Sequence, residues 1–463
     1  MKRSIRTILY FLTLAMLVSV MWFVFGMGKG LEAVAGTLPE KQVPPAATLT
    51  ETVTTAFKYP LAIFIMQLIL IIVMSQVCAF LFKKIGQPAV MGEIMAGILL
   101  GPSLMGSVFP QFSAFIFPVS SLGNLQMLSQ VGLILFMFVI GMELDMGLLK
   151  KKAAAAMFIS YFGIIIPFSM GIGLSYFLYQ RFAPANIPFY AFSLFTGIAM
   201  SITAFPVLAR IIRERNLSNT NAGTIAITAA ATDDVTAWCI LAFIIAIVKA
   251  GSINSSVYTL IAVAVYVCIM IFGVKPALNK FASRSSDNKI MKRSVLAFVF
   301  VVMLLSAYCC EVIGIHALFG AFMAGIIMPD EGNFRKWLID KIEDVALVLL
   351  LPLFFVFTGL RTQVGLLNDS SLWLACGSII LVAVAGKFGG SAIAARITGQ
   401  SISDSLYIGA LMNTRGLVEL VVLNIGYDLH ILTPQMFTMM VLMALITTFM
   451  TNPALNLIKK LTG

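Results

Sequence analysis

The sequence predicts an all-α polytopic membrane protein with thirteen core transmembrane helices, fourteen with the N-terminal segment. Three observations carry that prediction. The 463-residue chain is 60% hydrophobic and only 11% charged, whereas soluble domains carry about 25% charged residues. Its apolar runs are long and continuous, and a helix needs roughly 20 such residues to cross a bilayer. Strand-like alternation is absent, so the spans are helices rather than barrel strands.

The elements follow in chain order. Residues 1–59 read as an N-terminal signal or anchor segment and a linker. Lys2, Arg3 and Arg6 precede an apolar stretch at about 8–25. That stretch is a signal peptide, with a small-residue cleavage pattern at 33–35, or a first span; its length leans toward a retained anchor. Gly26-Met-Gly-Lys-Gly30 lacks the strand–turn–helix setting of a phosphate loop and reads as an interfacial turn. A polar linker with Pro44 and Pro45 occupies about 28–55. The transmembrane domain is expected over 60–455. Its spans fall at about 60–82, 87–103, 123–142, 153–178, 189–211, 221–249, 256–275, 292–310, 313–328, 342–360, 371–396, 404–426 and 433–451. A short tail, 456–463, follows.

Charge gives the orientation. Basic residues gather on alternate loops: Lys83 and Lys84, the lysines at 150–152, Arg210, Arg213 and Arg215, the 280–293 stretch, Arg335, Lys336 and Lys341, then Lys459 and Lys460. The intervening loops carry almost none. The basic loops and the C-terminus are therefore expected in the cytoplasm, with the chain in a bacterial inner membrane. The net charge of +11 needs no nucleic-acid partner on this account. Six cysteines (78, 239, 268, 309, 310 and 376) show no CxxC spacing and read as small core residues. Two histidines are too few for a metal cluster. No cofactor and no enzymatic role are expected.

A pattern occurs twice. Gly92-Glu-Ile-Met-Ala-Gly-Ile98 matches Gly320-Ala-Phe-Met-Ala-Gly-Ile326, and the segment from Phe136 to Leu149 matches that from Phe354 to Leu367. The copies lie about seven spans apart. An odd offset inverts the second copy, so repeat one (about 60–250) and repeat two (about 290–455) form an inverted-topology repeat. Secondary transporters are built this way, with discontinuous helices around a midplane site.

The chemistry centres on Ala230-Ala-Thr-Asp-Asp-Val-Thr-Ala-Trp238. Asp233 and Asp234 lie mid-span, where even one ionised carboxylate costs about 2.5–3.5 kcal/mol. They are read as the site of a transported ion; a structural pair satisfied by a basic residue is the bland alternative. Thr203 and Thr232 supply hydroxyls. Pro206 interrupts its span by removing a helix hydrogen bond. Asn413, Thr414 and Gly416 mark the counterpart in the second half, a weaker break because it has no proline. Arg415 and Glu419, four apart, are expected to compensate helix-end dipoles. Lys387 is too deep to reach the interface easily and needs a carboxylate partner. Asp233 is expected to face that lysine and Asp234 the ion. Glu93 reads as interfacial. A desolvated carboxylate favours its protonated form and a nearby lysine its ionised form, so a proton and an alkali cation can compete for the same oxygens.

The stretch Ile85-Gly-Gln-Pro to Gly101-Pro-Ser103, Thr232-Asp-Asp234, Lys387-Phe-Gly-Gly390 and Asn413-Thr-Arg-Gly-Leu-Val-Glu419 resemble the second monovalent cation:proton antiporter family over about 60–451. The resemblance implies a core domain with two crossed, interrupted helices, a dimerisation (panel) domain, a homodimer and elevator-like movement. It puts the ion-binding acid on Asp234, with Asp233 beside it and the core lysine on Lys387, and it implies electrogenic exchange of H+ for Na+, with Li+ or K+ as alternatives. The N-terminal extension departs from the pattern. No nucleotide-binding domain is expected after the membrane part, which counts against a glutathione-gated potassium efflux system. A cation channel would want a carbonyl filter, and an intramembrane aspartyl protease would want its acids on separate helices.

Overall fold

A helix against lipid is apolar outside and free to be polar inside. Helix α1 (Pro60–Lys84) shows that inversion. Leu61, Ile65, Ile69, Val73 and Val77, each four residues from the last, are exposed, while Gln67, Ile71, Ser75 and Cys78 are buried. The computed structural model describes residues 59–143, 153–218, 220–250, 253–284, 291–329 and 334–462, with a few positions between 16 and 27. Most of the 8–25 stretch, the 33–35 pattern, the 28–55 linker and the lysines at 150–152 lie outside the described residues.

From α1 the chain continues through α2 (Ala89–Leu100), α3 (Val119–Glu143) and α4 (Ala153–Phe182). A broken pair follows, α5a (Phe189–Ser201) and α5b (Phe205–Glu214), then α6 (Asn221–Ala250) and α7 (Ile253–Cys268). The second half comprises α8 (Met291–Ile313), α9 (Ala317–Ile326), α10 and α11. Helix α10 runs from Phe334–Val345 through a π turn at Ala346–Leu350 into Leu351–Arg361. Helix α11 runs from Ser370–Val384 through a π turn at Ala385–Gly389 into Gly390–Ile397. Another broken pair, α12a (Ile402–Met412) and α12b (Leu417–Asp428), precedes α13 (Pro434–Thr462). Among the described residues the fold is all-helical. Eleven helices among those residues are long and apolar enough to cross a membrane, twelve if the pair bent by 41° at α12 counts as one span. The span expected at 313–328 differs: α8 extends to Ile313, a turn with Gly314 at φ +96° follows, and α9 is only ten residues long.

The repeated glycines explain how the halves fit. Gly97 of α2 meets the backbone of Val356 and Gly359 in α10, and Gly141 of α3 meets that of Phe322 and Gly325 in α9. In the sequence repeat Gly97 corresponds to Gly325 and Gly141 to Gly359. Each motif therefore docks on the other copy's counterpart, the exchange of partners that a two-fold relation produces. The neighbours repeat as well. Gly92 abuts the Cys78 backbone in α1, and Gly320 abuts the Ser306 backbone in α8. Small residues permit this close approach, which dispersion rather than hydrophobicity must hold in lipid.

Candidate functional site

Asp233 and Asp234 lie mid-way along α6, both fully buried. Successive helical residues point about 100° apart, so the two carboxylates meet different neighbours. Asp233 is fully paired. Its Oδ1 accepts from Ser160 Oγ of α4 at 2.6 Å, and its Oδ2 accepts from Thr203 Oγ1 at 2.9 Å and Lys387 Nζ at 2.6 Å. Asp234 is not: neither oxygen has a hydrogen-bond partner. The Phe205 amide at the start of α5b is the backbone donor facing it, short of good hydrogen-bond geometry. That amide belongs to the positive end of a half-helix.

Lys387 sits in the π turn of α11, a local geometry common at functional sites. Its three protons are all used, on Asp233, the Ser201 carbonyl and the Gly163 carbonyl at 2.8 Å. The Gly163 carbonyl is free for a covalent reason. Pro167, four residues on in α4, has no N–H to bond it.

Arg415 serves the end of α5a. It donates to the carbonyls of Ala199 (2.9 Å) and Met200, and to Glu419 Oε2 at 3.1 Å. With Lys387 on Ser201, two cations take the last three carbonyls of α5a, groups that a helix leaves unpaired at its negative end. Both Arg415 and Glu419 are fully buried. Asp234 is thus the one fully buried acid without a basic partner among the described residues.

The two breaks touch. The Thr203 hydroxyl also lies 3.0 Å from the Met412 carbonyl, which shares its one proton with Asp233, and the Ala204 N–H donates to the Thr414 carbonyl at 3.1 Å. Pro206 does not stand in the middle of its helix but in the first turn of α5b, where its missing N–H costs little. The break in α12 needs no proline. Gly416 adopts φ +157°, and Thr448 Oγ1 of α13 both accepts from Arg415 N (3.1 Å) and donates to its carbonyl (2.8 Å). Asn413 ends α12a, buried, with Oδ1 unpartnered. Thr232 turns its hydroxyl to the Thr228 carbonyl one turn back on α6. Sequence reasoning missed Ser160, Gly163 and Pro167; a proline inside the apolar 153–178 run was the available signal.

Two cavities flank the site. One of about 460 Å³ opens at the end bearing Arg210 and Arg213, with Phe205, Pro206, Glu143 and Glu343 in its wall. Another of about 380 Å³ lies at the opposite end, between Gln130, Lys249, Glu311, His316 and Asp428. At that second end Arg361 pairs with Asp428 at 2.8 Å, and Asn424 Nδ2 donates to Thr358 Oγ1 at 2.8 Å.

Comparison with known proteins adds an independent line. The family model described as "Sodium/hydrogen exchanger, transmembrane" matches residues 69–457. The chain is 40% identical over 394 residues to the Na(+)/H(+) antiporter NhaS4 of Synechocystis sp., covering 85% of this chain and 96% of that one. It is 33% identical over 407 residues to the K(+)/H(+) antiporter 1 of Saccharomyces cerevisiae, covering 86% of this chain and 46% of the longer yeast protein. The solved structure of the sodium proton antiporter MjNhaP1 from Methanocaldococcus jannaschii superposes with a TM-score of 0.65. That likeness covers 87% of this chain and all of the other at 16% identity, so it speaks to the fold.

Proposed function

The chain belongs to the sodium/hydrogen exchanger family, and from that premise we propose that it is a secondary antiporter exchanging protons for a monovalent cation by alternating access. One observation carries the reading of the site: Asp234 is buried, unpaired and adjacent to the crossing of two broken helices, while among the described residues every other fully buried acid has its cation. A carboxylate so placed is costly when empty and is relieved by either a proton or a metal cation, not both. Coupling follows if the relieved forms reorient and the bare form does not.

In this reading Asp234 binds the ion, Asp233 and Lys387 form the charge-neutral wall beside it, and Thr203 braces that wall against α12a. Asn413 is the free oxygen nearest in sequence to the second break, so it joins Arg415, Glu419 and Pro206 as support for the crossing. Thr232 contributes at most its lone pairs, since its proton is engaged. The cavity at the Arg210 end reaches Phe205, whose amide faces Asp234, and offers the route from the cytoplasm. Na+ is the favoured cation, because the relative matched over nearly its whole length is named for it; the yeast relative makes K+ the alternative. We further propose a homodimer with its C-terminus in the cytoplasm of a bacterial inner membrane, electrogenic exchange, and no catalytic activity.

The test is a pH-sensitive dye in proteoliposomes, challenged with Na+, Li+ and K+. Addition of the right cation should dissipate an imposed pH gradient. Uncoupled current, as a channel would pass, or no response at all overturns the reading.

A further inference from the structure

The repeat puts Glu143 where its other copy has Arg361, because both stand seven residues past the first phenylalanine of the matched segments. Each is the last residue of its helix, α3 or α10, and the two lie at opposite mouths of the molecule. Across from each runs the second half of a broken helix. At the outer mouth Arg361 binds α12b twice, at Asp428 Oδ1 (2.8 Å) and Asn424 Oδ1 (3.1 Å), and its guanidinium lies over the Phe357 ring at 4.3 Å. The outer cavity narrows there to about 20 Å³. At the inner mouth the facing half-helix is α5b, which carries Arg210 and Arg213. Arg210 is engaged with Glu214 at 2.8 Å. Glu143 and Arg213 share the wall of the open 460 Å³ cavity, close enough for their charges to act on each other. Among the described residues neither has an ion-pair partner.

We propose that Arg361–Asp428 and Glu143–Arg213 are alternating latches, one at each mouth. The outer pair, closed here, holds the ion site open to the inner face; the inner pair closes in its place when the site turns outward. The proposal deepens the exchange reading and rests on it for its purpose, though not for its geometry. Acid and base have changed places between the two copies. The base is on α10 and the acid on α12b at the outer end, while the acid is on α3 and the base on α5b at the inner end. Attraction survives that exchange of signs, so each mouth keeps one pair able to close. When two inverted halves rock against each other, a contact made by one half in one state is made by the other half in the next. The closed outer pair therefore shows what the inner pair becomes. Arg361 and Asp428 are 16% and 34% exposed, so their attraction is modest and the pair can part and re-form within a cycle. None of the four belongs to the Asp233–Lys387 pair, so they act as positioning residues. Glu343, the other acid in the inner wall, lies on α10 and has no such repeat counterpart.

Thiol labelling reads the balance between the two states. The full-length chain, with its six cysteines replaced, carries Ala209→Cys in the wall of the inner cavity. Labelling rates are measured in inside-out vesicles with a cationic and an anionic methanethiosulfonate. A change in opening moves both rates alike, whereas a change in local charge moves them oppositely. Arg361→Gln, and separately Asp428→Asn, should slow both reagents several-fold, because losing the outer latch lets the inner mouth close. Exchanging the charges, Arg361→Asp with Asp428→Arg, should recover the original rates. Adding Glu143→Gln to Arg361→Gln should also raise the rates again, since neither state is then latched; adding Glu343→Gln should not. Unchanged rates in both outer variants, no recovery with Glu143→Gln, or equal recovery with Glu343→Gln overturns the proposal. Two outer variants and the exchanged pair guard against a variant that does not fold. In proteoliposomes Glu143→Gln and Arg213→Gln should each lower the maximal exchange rate several-fold rather than raise KM, and together lower it no further. Additive losses, or an effect confined to KM, overturn the inner pair. If the labelling pattern holds while wild-type vesicles exchange no cation, the functional reading fails and the latches stand.

Discussion

Substituting methionine for Lys387 removes the one cation in contact with Asp233 while keeping most of the side-chain volume. Asp233 would keep Ser160 and Thr203 as donors, but its charge would be uncompensated in a fully buried site. The carbonyls of Gly163 and Ser201 would lose their partner as well. Breaking one side of a buried ion pair costs about 3–5 kcal/mol, and nothing nearby is free to take the charge, since Arg415 is committed to Ala199, Met200 and Glu419. The expected result is a marked drop in thermal stability, followed by heating detergent-solubilised protein and measuring the monodisperse fraction by size exclusion. Adding Asp233→Asn should recover much of the loss, because the remaining amide keeps its hydroxyl partners and carries no charge. The reasoning fails if Lys387→Met melts with the wild type, or if the double variant melts no higher than the single one. In transport, Lys387→Met should be slow or altered in charge moved per turnover; an unchanged value on solid-supported membrane electrophysiology removes the lysine from the coupling.

Other expectations follow from the same geometry. Asp234→Asn should abolish cation-dependent dequenching yet leave stability close to wild type, because the carboxylate it replaces makes no hydrogen bond; retained exchange moves the ion site elsewhere. If one proton and one cation compete at Asp234, lowering pH should raise the apparent KM for the cation by up to about tenfold per pH unit with little effect on the maximal rate. A falling maximal rate at constant KM contradicts that competition. Gly97→Val and Gly325→Val should each impair folding, since a Cβ at either position meets the backbone of the partner helix, and overpacking of this kind costs about 1–3 kcal/mol or more. Pro167→Ala restores an N–H that competes with Lys387 for the Gly163 carbonyl, and should weaken exchange more than it weakens folding.

Hydropathy located most of the spans, because a continuous apolar run in a charge-poor chain has few other meanings. The run at 313–328 instead holds a ten-residue helix, and eleven or twelve spans among the described residues stand against the thirteen expected. The twin glycine motifs likewise announced the repeat, and the structure adds which glycine meets which. Lys387 was legible as a buried cation in need of an acid, and its partner is Asp233. What escaped was set by neighbours rather than by pattern. Gly416 marked the break in α12, but the hydroxyl from α13 that holds it, Thr448, does not stand out in an apolar stretch. Ser160 is one small polar residue on a long helix, and only the fold reveals that it faces Asp233. Thr232 looked like a ligand by adjacency, yet a threonine within a helix can satisfy itself on the carbonyl four residues back. The Arg361–Asp428 pair was invisible for the same reason, its members lying on α10 and α12b.

The crosswise docking of Gly97 on Gly359 and of Gly141 on Gly325 bears on how the protein is made. A ribosome delivers α2 and α3 to the translocon long before α9 and α10 exist, so the newborn half must wait in the bilayer with both notches unfilled. Expressed by itself, that half should be an easy target for quality-control proteolysis, and supplying the later half as a separate polypeptide should protect it.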